Sequence, residues 1–304
     1  MVAENVVELD LRPLDGSRLP KWEPGAHINI TLPNGLVRQY SLCGYTEDET
    51  NYQVAVLLAP DGRGGSQFIH ETLLEQAQIQ ISAPRNNFQF ESAPSYLFIA
   101  GGIGITPLIP MIRAAEDAGA EWKMLYGGRT ATSMAYVDLV VDLGGEHRVD
   151  VVPQDVHGLP DIDKALSSVR DDTLVYSCGP EPLLRAVEGL CEARDLASNL
   201  RLERFSVPKE VAAGVPTSFE VEVFSTGDVF NVPADKSVLD VLLTNGLEIE
   251  ASCREGTCGT CETGVLEGAV DHRDVVLSQA EKAKGELMMV CVSRARCPRL
   301  VLDL

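Results

Sequence analysis

The first third of the chain alternates short apolar segments with turn signals. These segments run from residue 4 to about residue 90, separated by sequences such as Leu32-Pro-Asn-Gly35 and Pro60-Asp-Gly-Arg-Gly-Gly65. Alternation of apolar and polar positions is typical of β-strands that bury one face, and glycine, proline and asparagine mark the turns between them. We therefore predict an antiparallel β-barrel or sandwich over residues 1–93.

The hydrophobic pattern changes after residue 93. An apolar strand is predicted over 96–100, followed by a glycine turn, a helix over 107–118 and a second strand over 122–126. Strands and helices continue to alternate up to about residue 205. This pattern is typical of βαβ units and a parallel sheet, so we predict an α/β domain over residues 94–206.

The last part of the chain begins after a predicted linker over residues 207–217, which contains Pro208, Gly214 and Pro216 and few large apolar groups. The following residues, 218–304, predict an α+β domain. Its pattern indicates a hairpin over 219–224 and 229–232 and a short helix over 237–245 with Ser237 as the cap. The fold class is therefore multidomain, with a β-barrel, a parallel-sheet domain and a small α+β domain.

Composition narrows the possible functions. The net charge of −20 is spread along the chain, and no cluster of Lys and Arg offers a surface for nucleic acid or an anionic membrane. No apolar run is long enough to span a bilayer, and the N-terminus lacks the features of a signal peptide. We expect a soluble cytoplasmic protein that binds neither nucleic acid nor membrane.

Four of the eight cysteines have ligand spacing. The pattern C-x4-C-x2-C is followed by a fourth cysteine 30 residues later, as in plant-type two-iron two-sulfur proteins, and comprises Cys253, Cys258, Cys261 and Cys291. Small residues between them, such as Gly256 and Gly259, let backbone N–H groups face the sulfur atoms. The alternative is a structural zinc site, which usually has two C-x2-C elements where this chain has one.

The other four cysteines lack ligand spacing among themselves, and each is expected to be a small apolar residue that is buried or partly buried. They are Cys43, Cys178, Cys191 and Cys297.

A nucleotide site is predicted in the α/β domain. The turn Gly101-Gly-Ile-Gly-Ile-Thr-Pro107, which includes Gly102 and Gly104, follows a strand and opens a helix. We expect Thr106 to cap this helix, whose N-terminus favours a pyrophosphate. A second turn, Cys178-Gly179-Pro180, follows the strand over 173–177, and two strand ends of this kind meet in one crevice. Taken alone, the glycine turn could be structural.

The choice between NADH and NADPH stays open at this level. The acidic residue that commonly binds the ribose hydroxyls about 20 residues beyond the glycines is absent, and the stretch ends in Tyr126-Gly-Gly-Arg129. Arg129 could accept a 2′-phosphate, bind the ribose or face solvent.

A second anion site is predicted in the barrel. Alternation places Arg38 and Tyr40 of the segment Arg38-Gln-Tyr-Ser41 on one strand face, where a cation lies beside an aromatic ring. The turn Gly64-Gly65-Ser66-Gln67 precedes a helix that Ser66 could cap. The alternative is that Tyr40 belongs to the core and Arg38 to the surface.

These motifs together resemble the phthalate dioxygenase reductase family, which includes vanillate demethylase reductases, in the order flavin barrel, nicotinamide domain, C-terminal ferredoxin. The matching segments cover nearly the full length and are Arg38-Gln-Tyr-Ser41, Gly62-Arg-Gly-Gly-Ser66, Gly101-Gly-Ile-Gly-Ile-Thr-Pro107, Cys178-Gly-Pro180, Glu203-Arg-Phe205, Ser252-Cys-Arg-Glu-Gly-Thr-Cys-Gly-Thr-Cys261 and Cys291-Val-Ser-Arg-Ala295. The family usually has one more strand before residues 2–11, so the barrel is expected to have an unpaired edge.

The resemblance implies FMN as the flavin and NADH as the preferred donor, although the Gly127-Gly128 pair departs from the commonest form. It implies that Ser41 and Thr106 orient the flavin, that Cys178 and Glu203 bound the nicotinamide pocket, and that Phe205 shields the flavin ring. The implied flavin contacts are Arg38, Tyr40, Ser41, Val56, Leu57, Gly64, Gly65, Ser66, Gln67, Thr106 and Phe205.

The implied activity is that of an oxygenase reductase component. Electrons would pass from NAD(P)H through FMN and a two-iron two-sulfur ferredoxin domain to a Rieske-type oxygenase, with a cytochrome P450 as the second candidate partner. Residues 218–304 carry 15 acidic and 8 basic side chains, a net charge of −7 that suits a basic partner surface and equally suits simple solubility. Two other classes are a non-enzymatic iron-sulfur carrier and a flavin reductase that acts on small molecules.

Overall fold

The computed structural model describes residues 1–60, 62–73, 75–208 and 217–304. Residues 209–216, most of the predicted linker, lie outside these ranges. The chain divides into two compact units, Met1–Glu203 and Arg204–Leu304.

The first part of the first unit contains the antiparallel strands that alternation predicts. Strands β1 and β4 pair with each other, and β2 lies between β3 and β5. A bridge between Leu42 and Val54 connects the two sheets, and both side chains are fully buried. The elements are β1 Val6–Leu11, β2 His27–Thr31, β3 Val37–Ser41, β4 Tyr52–Leu57, α1 Gly65–Glu71 and β5 Gln80–Ile81.

The second part of the first unit is a five-stranded parallel sheet in the order β10-β9-β6-β7-β8, which confirms the parallel sheet expected from the βαβ pattern. The strands are β6 Ser95–Gly101, β7 Glu121–Gly128, β8 Val149–Pro153, β9 Thr173–Cys178 and β10 Leu200–Glu203. The helices are α2 Leu108–Asp117, α3 Val137–Gly144, α4 Gln154–His157, α5 Ile162–Leu166 and α6 Glu181–Ala193. Every residue of the central strand β6 is buried.

An aromatic cluster and polar contacts join the two parts of this unit. The Tyr176 hydroxyl donates to the Gln89 carbonyl (3.0 Å) and accepts from the Glu91 N–H (2.8 Å). A further contact joins α2 to the loop that follows β3, where the Arg113 guanidinium donates to the Gly44 carbonyl (2.7 Å). The helix that follows the glycine turn is therefore fixed to the loop that follows the strand of Arg38 and Tyr40.

The second unit contains a five-stranded sheet in the order β12-β11-β17-β13-β15 and a two-stranded pair, β14 and β16. The predicted hairpin is confirmed as β11 and β12, and Ser237 caps α7 by accepting the Asp240 N–H (3.0 Å). The strands are β11 Phe219–Val223, β12 Val229–Val232, β13 Glu262–Glu267, β14 Val270–Asp271, β15 Leu287–Met289, β16 Arg294–Ala295 and β17 Arg299–Asp303. The helices are α7 Val238–Thr244 and α8 Gln279–Lys284.

No helix within the described ranges is long and apolar enough to cross a bilayer.

Candidate functional site: a cysteine loop and a nucleotide crevice

The four cysteines with ligand spacing lie together in the second unit. Each is buried, and neighbouring side chains are in contact in the order Cys258, Cys253, Cys291, Cys261. The contacts with Cys258 and Cys291 lower the pKa of the Cys253 thiol, and the contact with Cys291 lowers that of Cys261. The same contacts raise the pKa of the Cys258 and Cys291 thiols, so two of the four thiols lose their protons more readily than the other two.

This donor set fits a two-iron cluster. It offers four thiols, and the Glu255 N–H also points at the Cys253 sulfur (3.3 Å). In the part of the chain that the structure describes, no three His, Cys, Asp or Glu side chains converge as ligands of one ion. A cluster bound by four thiolates has two irons, so its ligands need not converge on one point.

The loop has space for glycine alone at one position. Gly256 has φ +72°, and a Cβ there would lie 2.7 Å from Val292 Cγ2 and 3.0 Å from Asp274 Cα. Both the backbone conformation and the lack of room exclude a side chain. Gly256 therefore serves close packing of the loop.

The two glycine turns of the first unit meet at one edge of the parallel sheet. A Cβ on Gly104 would lie 2.7 Å from the Gly179 nitrogen, and one on Gly101 would lie 2.5 Å from Pro180 Cδ. Strand order reverses between β6 and β9, so the turns flank the switch point where open α/β sheets bind ligands. The predicted meeting of these two strand ends is confirmed.

Thr106 does not cap α2, so that prediction is wrong. A short 3₁₀ turn over Gly102–Ile105 leads into the helix, and α2 begins at Leu108 with Pro107 as the preceding residue. Thr106 is already helical (φ −57°), whereas a capping side chain needs extended backbone. Its buried hydroxyl instead donates to the Ile103 carbonyl (3.0 Å) and stabilises the turn.

Cys178 and Glu203 lie together at the ends of β9 and β10. They are register partners, and the Cys178 thiol donates to Glu203 Oε2 at 3.9 Å. Burial raises the pKa of Glu203 to about 8, and burial together with Glu203 raises that of Cys178 well above its ordinary value. Both shifts favour the protonated forms of these groups.

Arg129 follows the last residue of β7 and is exposed. Its carbonyl accepts the Asp155 N–H (3.1 Å), which fixes its backbone beside the end of β8. Gly128 before it has no room for a side chain, because a Cβ would lie 2.7 Å from Met134 Sδ. Arg129 thus lies at the same sheet edge as the glycine turns.

Arg38 is in direct contact with the glycine turn of the barrel, Gly64-Gly65. The guanidinium of Arg38 donates to the carbonyls of Val37 (2.8 Å) and Arg63, and its side chain packs against Gly65. Ser66 does not cap α1, so that prediction is also wrong. Gly64 precedes the helix with φ +76°, and Ser66 lies inside the first turn, where its hydroxyl accepts the Ala59 N–H (3.0 Å).

The remaining predicted flavin contacts differ in how much side-chain surface they expose to solvent. Tyr40 packs against the apolar core and burial raises its pKa to about 12, while Ser41 is buried at the end of β3. Val56 is fully buried and Leu57 is 38% exposed, so only Leu57 offers side-chain surface. Gln67 is exposed and donates to Glu71 (3.2 Å).

Two residues of this site have no signal in the sequence. His70 Nε2 lies 2.9 Å from the Val56 carbonyl and holds α1 against β4. Arg113 bonds the loop after β3, as described above. Each contact joins residues that are far apart along the chain, and neither belongs to a motif.

Phe205 belongs to the second unit and is 44% exposed.

Comparison with known proteins agrees with both sites. The family described as 2Fe-2S iron-sulfur cluster binding domain matches residues 221–296, and the oxidoreductase NAD-binding domain matches residues 98–189. The class of protein is therefore an oxidoreductase with a nicotinamide nucleotide domain and an iron-sulfur domain.

Full-length relatives make the family specific. The chain is 38% identical to vanillate O-demethylase oxidoreductase from Pseudomonas sp. (strain HR199 / DSM 7063), over 100% of this chain and 97% of that protein. Phthalate dioxygenase reductase, described as a modular structure for electron transfer from pyridine nucleotides to [2Fe-2S], matches with a TM-score of 0.72 and 33% identity over 100% of this chain and 95% of that chain. The chain belongs to the phthalate dioxygenase reductase family.

The same architecture also occurs within a longer protein. An intact type IV self-sufficient cytochrome P450 monooxygenase matches with a TM-score of 0.90 and 40% identity over 100% of this chain. This chain spans 40% of the length of that protein.

Proposed function

We propose that this protein is the NAD(P)H-dependent reductase component of a multicomponent oxygenase. A bound flavin accepts a hydride as an electron pair and releases electrons singly, and a two-iron cluster accepts one electron at a time. The observation that carries the proposal is the presence, in one chain, of a nucleotide crevice at a sheet switch point and a buried loop of four linked thiols.

The proposed organisation has three functional domains. Residues 1–93 form the flavin-binding β-barrel, residues 94–206 the nicotinamide domain and residues 218–304 the ferredoxin, with the linker over 207–217. FMN is the proposed flavin. Arg38 binds its phosphate, supported by the contact of the guanidinium with the Gly64-Gly65 turn. Tyr40, Ser41, Leu57, Thr106 and the backbone of Val56 orient the ring, Ser66 and Gln67 lie beside it, and Phe205 shields it.

The nicotinamide pocket is proposed to lie between the two glycine turns. Gly102, Gly104, Gly179 and Pro180 let the nucleotide approach the backbone, and Arg129 binds its ribose side. Cys178 and protonated Glu203 provide neutral polar groups, one of which can donate a hydrogen bond to the carboxamide. NADH is the proposed donor.

The proposed cluster ligands are Cys253, Cys258, Cys261 and Cys291. The support is that all four side chains are buried and in contact with one another. Thiols maintained in this reduced form also support a cytoplasmic location.

A Rieske-type oxygenase is the proposed electron acceptor, since the relatives of similar length include a carnitine monooxygenase reductase subunit. The acidic ferredoxin region, with a net charge of −7 over residues 218–304, suits docking to a basic surface. A cytochrome P450 is a second candidate, favoured by the similarity to the self-sufficient monooxygenase.

A cysteine substitution tests the electron path. Cys258→Ser is expected to abolish NADH-dependent reduction of cytochrome c, used as a protein acceptor, and to leave ferricyanide reduction close to the wild-type rate. Cys191→Ser, which changes a buried cysteine of α6 outside the loop, is the matched control and should retain both activities. Loss of both activities in Cys258→Ser alone, or of neither, contradicts the proposal, and so does a purified wild-type protein that binds no flavin.

A further inference from the structure

A buried carboxylate lies behind the cysteine loop. Asp274 has no exposed surface, and its Oδ2 accepts the backbone N–H groups of Val276 (3.2 Å) and Leu277 (2.9 Å). The Lys282 ammonium lies 3.7 Å from the same oxygen and donates to the Asp274 carbonyl at 2.7 Å. A buried charge is costly unless its partners are held in place, so this carboxylate fixes the segment from Asp274 to Lys282.

The Asp274 segment contacts the loop that carries three of the cysteines. The Val275 N–H donates to the Gly256 carbonyl at 3.0 Å. The absence of a side chain at Gly256 is what allows this approach, since a Cβ there would lie 3.0 Å from Asp274 Cα. Gly256 lies between Cys253 and Cys258, so a shift of Asp274 would displace the backbone between these two ligands.

The same carboxylate reaches the segment that carries the fourth cysteine. The Ser293 hydroxyl donates to Asp274 Oδ1 at 3.4 Å and accepts the Arg273 N–H at 3.2 Å. Ser293 is fully buried and lies two residues after Cys291. Asp274 thus connects two segments that approach each other only in the folded chain.

We propose that Asp274 is a positioning residue for the iron-sulfur site, which holds the loop of Cys253, Cys258 and Cys261 in register with Cys291. The inference rests on the proposed function, because it assumes that the four thiolates bind a cluster. Asp274 also pairs with Lys282. Because charges and hydrogen bonds around a metal site alter its reduction potential, we expect substitutions of either residue to change the reduction potential of the cluster. Removing the negative charge of Asp274 favours the reduced cluster, and removing the positive charge of Lys282 disfavours it.

The test follows cluster loss from the complete protein. EDTA is added to the holoprotein in moderate urea, and the decay of the cluster absorbance is recorded. Asp274→Asn, which keeps the shape and removes the charge, is expected to lose the cluster at least about tenfold faster, equivalent to about 1.4 kcal/mol. Ser293→Ala is expected to change the rate in the same direction by less. Asp228→Asn, in the exposed turn between β11 and β12, is the matched control and should decay at the wild-type rate.

The midpoint potential distinguishes positioning with a buried charge from general destabilisation. Asp274→Asn is expected to shift the potential to more positive values and Lys282→Gln to more negative values. A merely structural role would not give shifts of opposite sign.

Wild-type decay rates in both Asp274→Asn and Ser293→Ala, with potentials unchanged in Asp274→Asn and Lys282→Gln, would overturn the inference. If Asp274→Asn does not fold, Ser293→Ala and Lys282→Gln decide the question by the same two measurements. A wild-type protein without a cluster would instead refute the proposed function. Failure of the two proposals is therefore distinguishable.

Discussion

The nucleotide crevice and the cysteine loop are built in opposite ways. In the crevice, glycine backbones from two strand ends approach each other within a side chain's width. In the loop, four side-chain sulfurs form the site and the backbone serves to pack them. A site made of backbone depends on the sheet around it, whereas a site made of thiols is largely defined by spacing along the chain.

The largest effect is expected from adding a methyl group to the crevice. In Gly104→Ala the new Cβ would meet the Cys178 carbonyl and the Gly179 nitrogen, which forces the two turns apart. We expect NADH oxidation to fall by about 100-fold, because displacements near 1 Å at a reacting centre have costs of that size. Stopped-flow flavin reduction measures the loss, and the cluster absorbance should be unchanged.

Gly189→Ala provides the control for this variant. Gly189 lies in α6 and has no atom within 4 Å of the Cβ position, so alanine should be tolerated and should favour the helix. Equal losses in both variants would show that the crevice has no special requirement for glycine.

Arg38 is a side-chain anchor in the first unit and is expected to give an intermediate effect. Arg38→Gln would remove the proposed charge-assisted hydrogen bond to the FMN phosphate, and such bonds contribute roughly 1.5–3 kcal/mol. We predict FMN affinity about 30-fold weaker by fluorescence titration, with Arg18→Gln, an exposed arginine, as the control. Unchanged affinity would remove Arg38 from the proposed phosphate site.

Gly256→Ala should affect the second unit alone. The substitution combines a left-handed backbone conformation with a close contact to Val292, and strain of this kind costs about 1–3 kcal/mol. We expect cluster loss about tenfold faster, with ferricyanide reduction retained. Gly246 also has a positive φ (+85°), but the space around its Cβ position is open. Gly246→Ala therefore measures the effect of backbone strain without a side-chain contact.

The residues that sequence analysis identified correctly are those whose role depends on local order. The spacing of Cys253, Cys258 and Cys261 predicted that they share one site with Cys291, and the structure brings the four together. Ser237 was correctly assigned as a cap. Thr106 and Ser66 were not, because a cap depends on backbone angles that a one- or two-residue shift of the helix start changes. The alternation of strands and helices along the chain was enough to predict the parallel sheet.

Contacts between distant residues were beyond sequence reasoning. The bond from Arg113 to the Gly44 carbonyl spans 69 positions, and that from Ser293 to Asp274 joins side chains with no motif in common. Such pairs depend on tertiary packing, so only the folded chain reveals them.

The last predicted effect concerns the pH dependence of stability. Glu203 titrates at 4.5 in an unfolded chain and at about 8 in the folded protein, so its contribution to stability is complete below about pH 4.5 and is lost as the pH rises through 8. Glu203→Gln should therefore have a flatter dependence of unfolding free energy on pH between these values. Urea denaturation at pH 5.5 and 8.0 measures the difference, and parallel curves for the two proteins would contradict the assignment.

Anaerobic titration of the purified wild-type protein with NADH, with NADPH in a parallel experiment, tests the central claim most directly. We expect a protein with both flavin and cluster absorbance, in which NADH bleaches both chromophores and more than one electron enters per chain. A protein that lacks the flavin, binds zinc in the cysteine loop, or is not reduced by either nucleotide would contradict it.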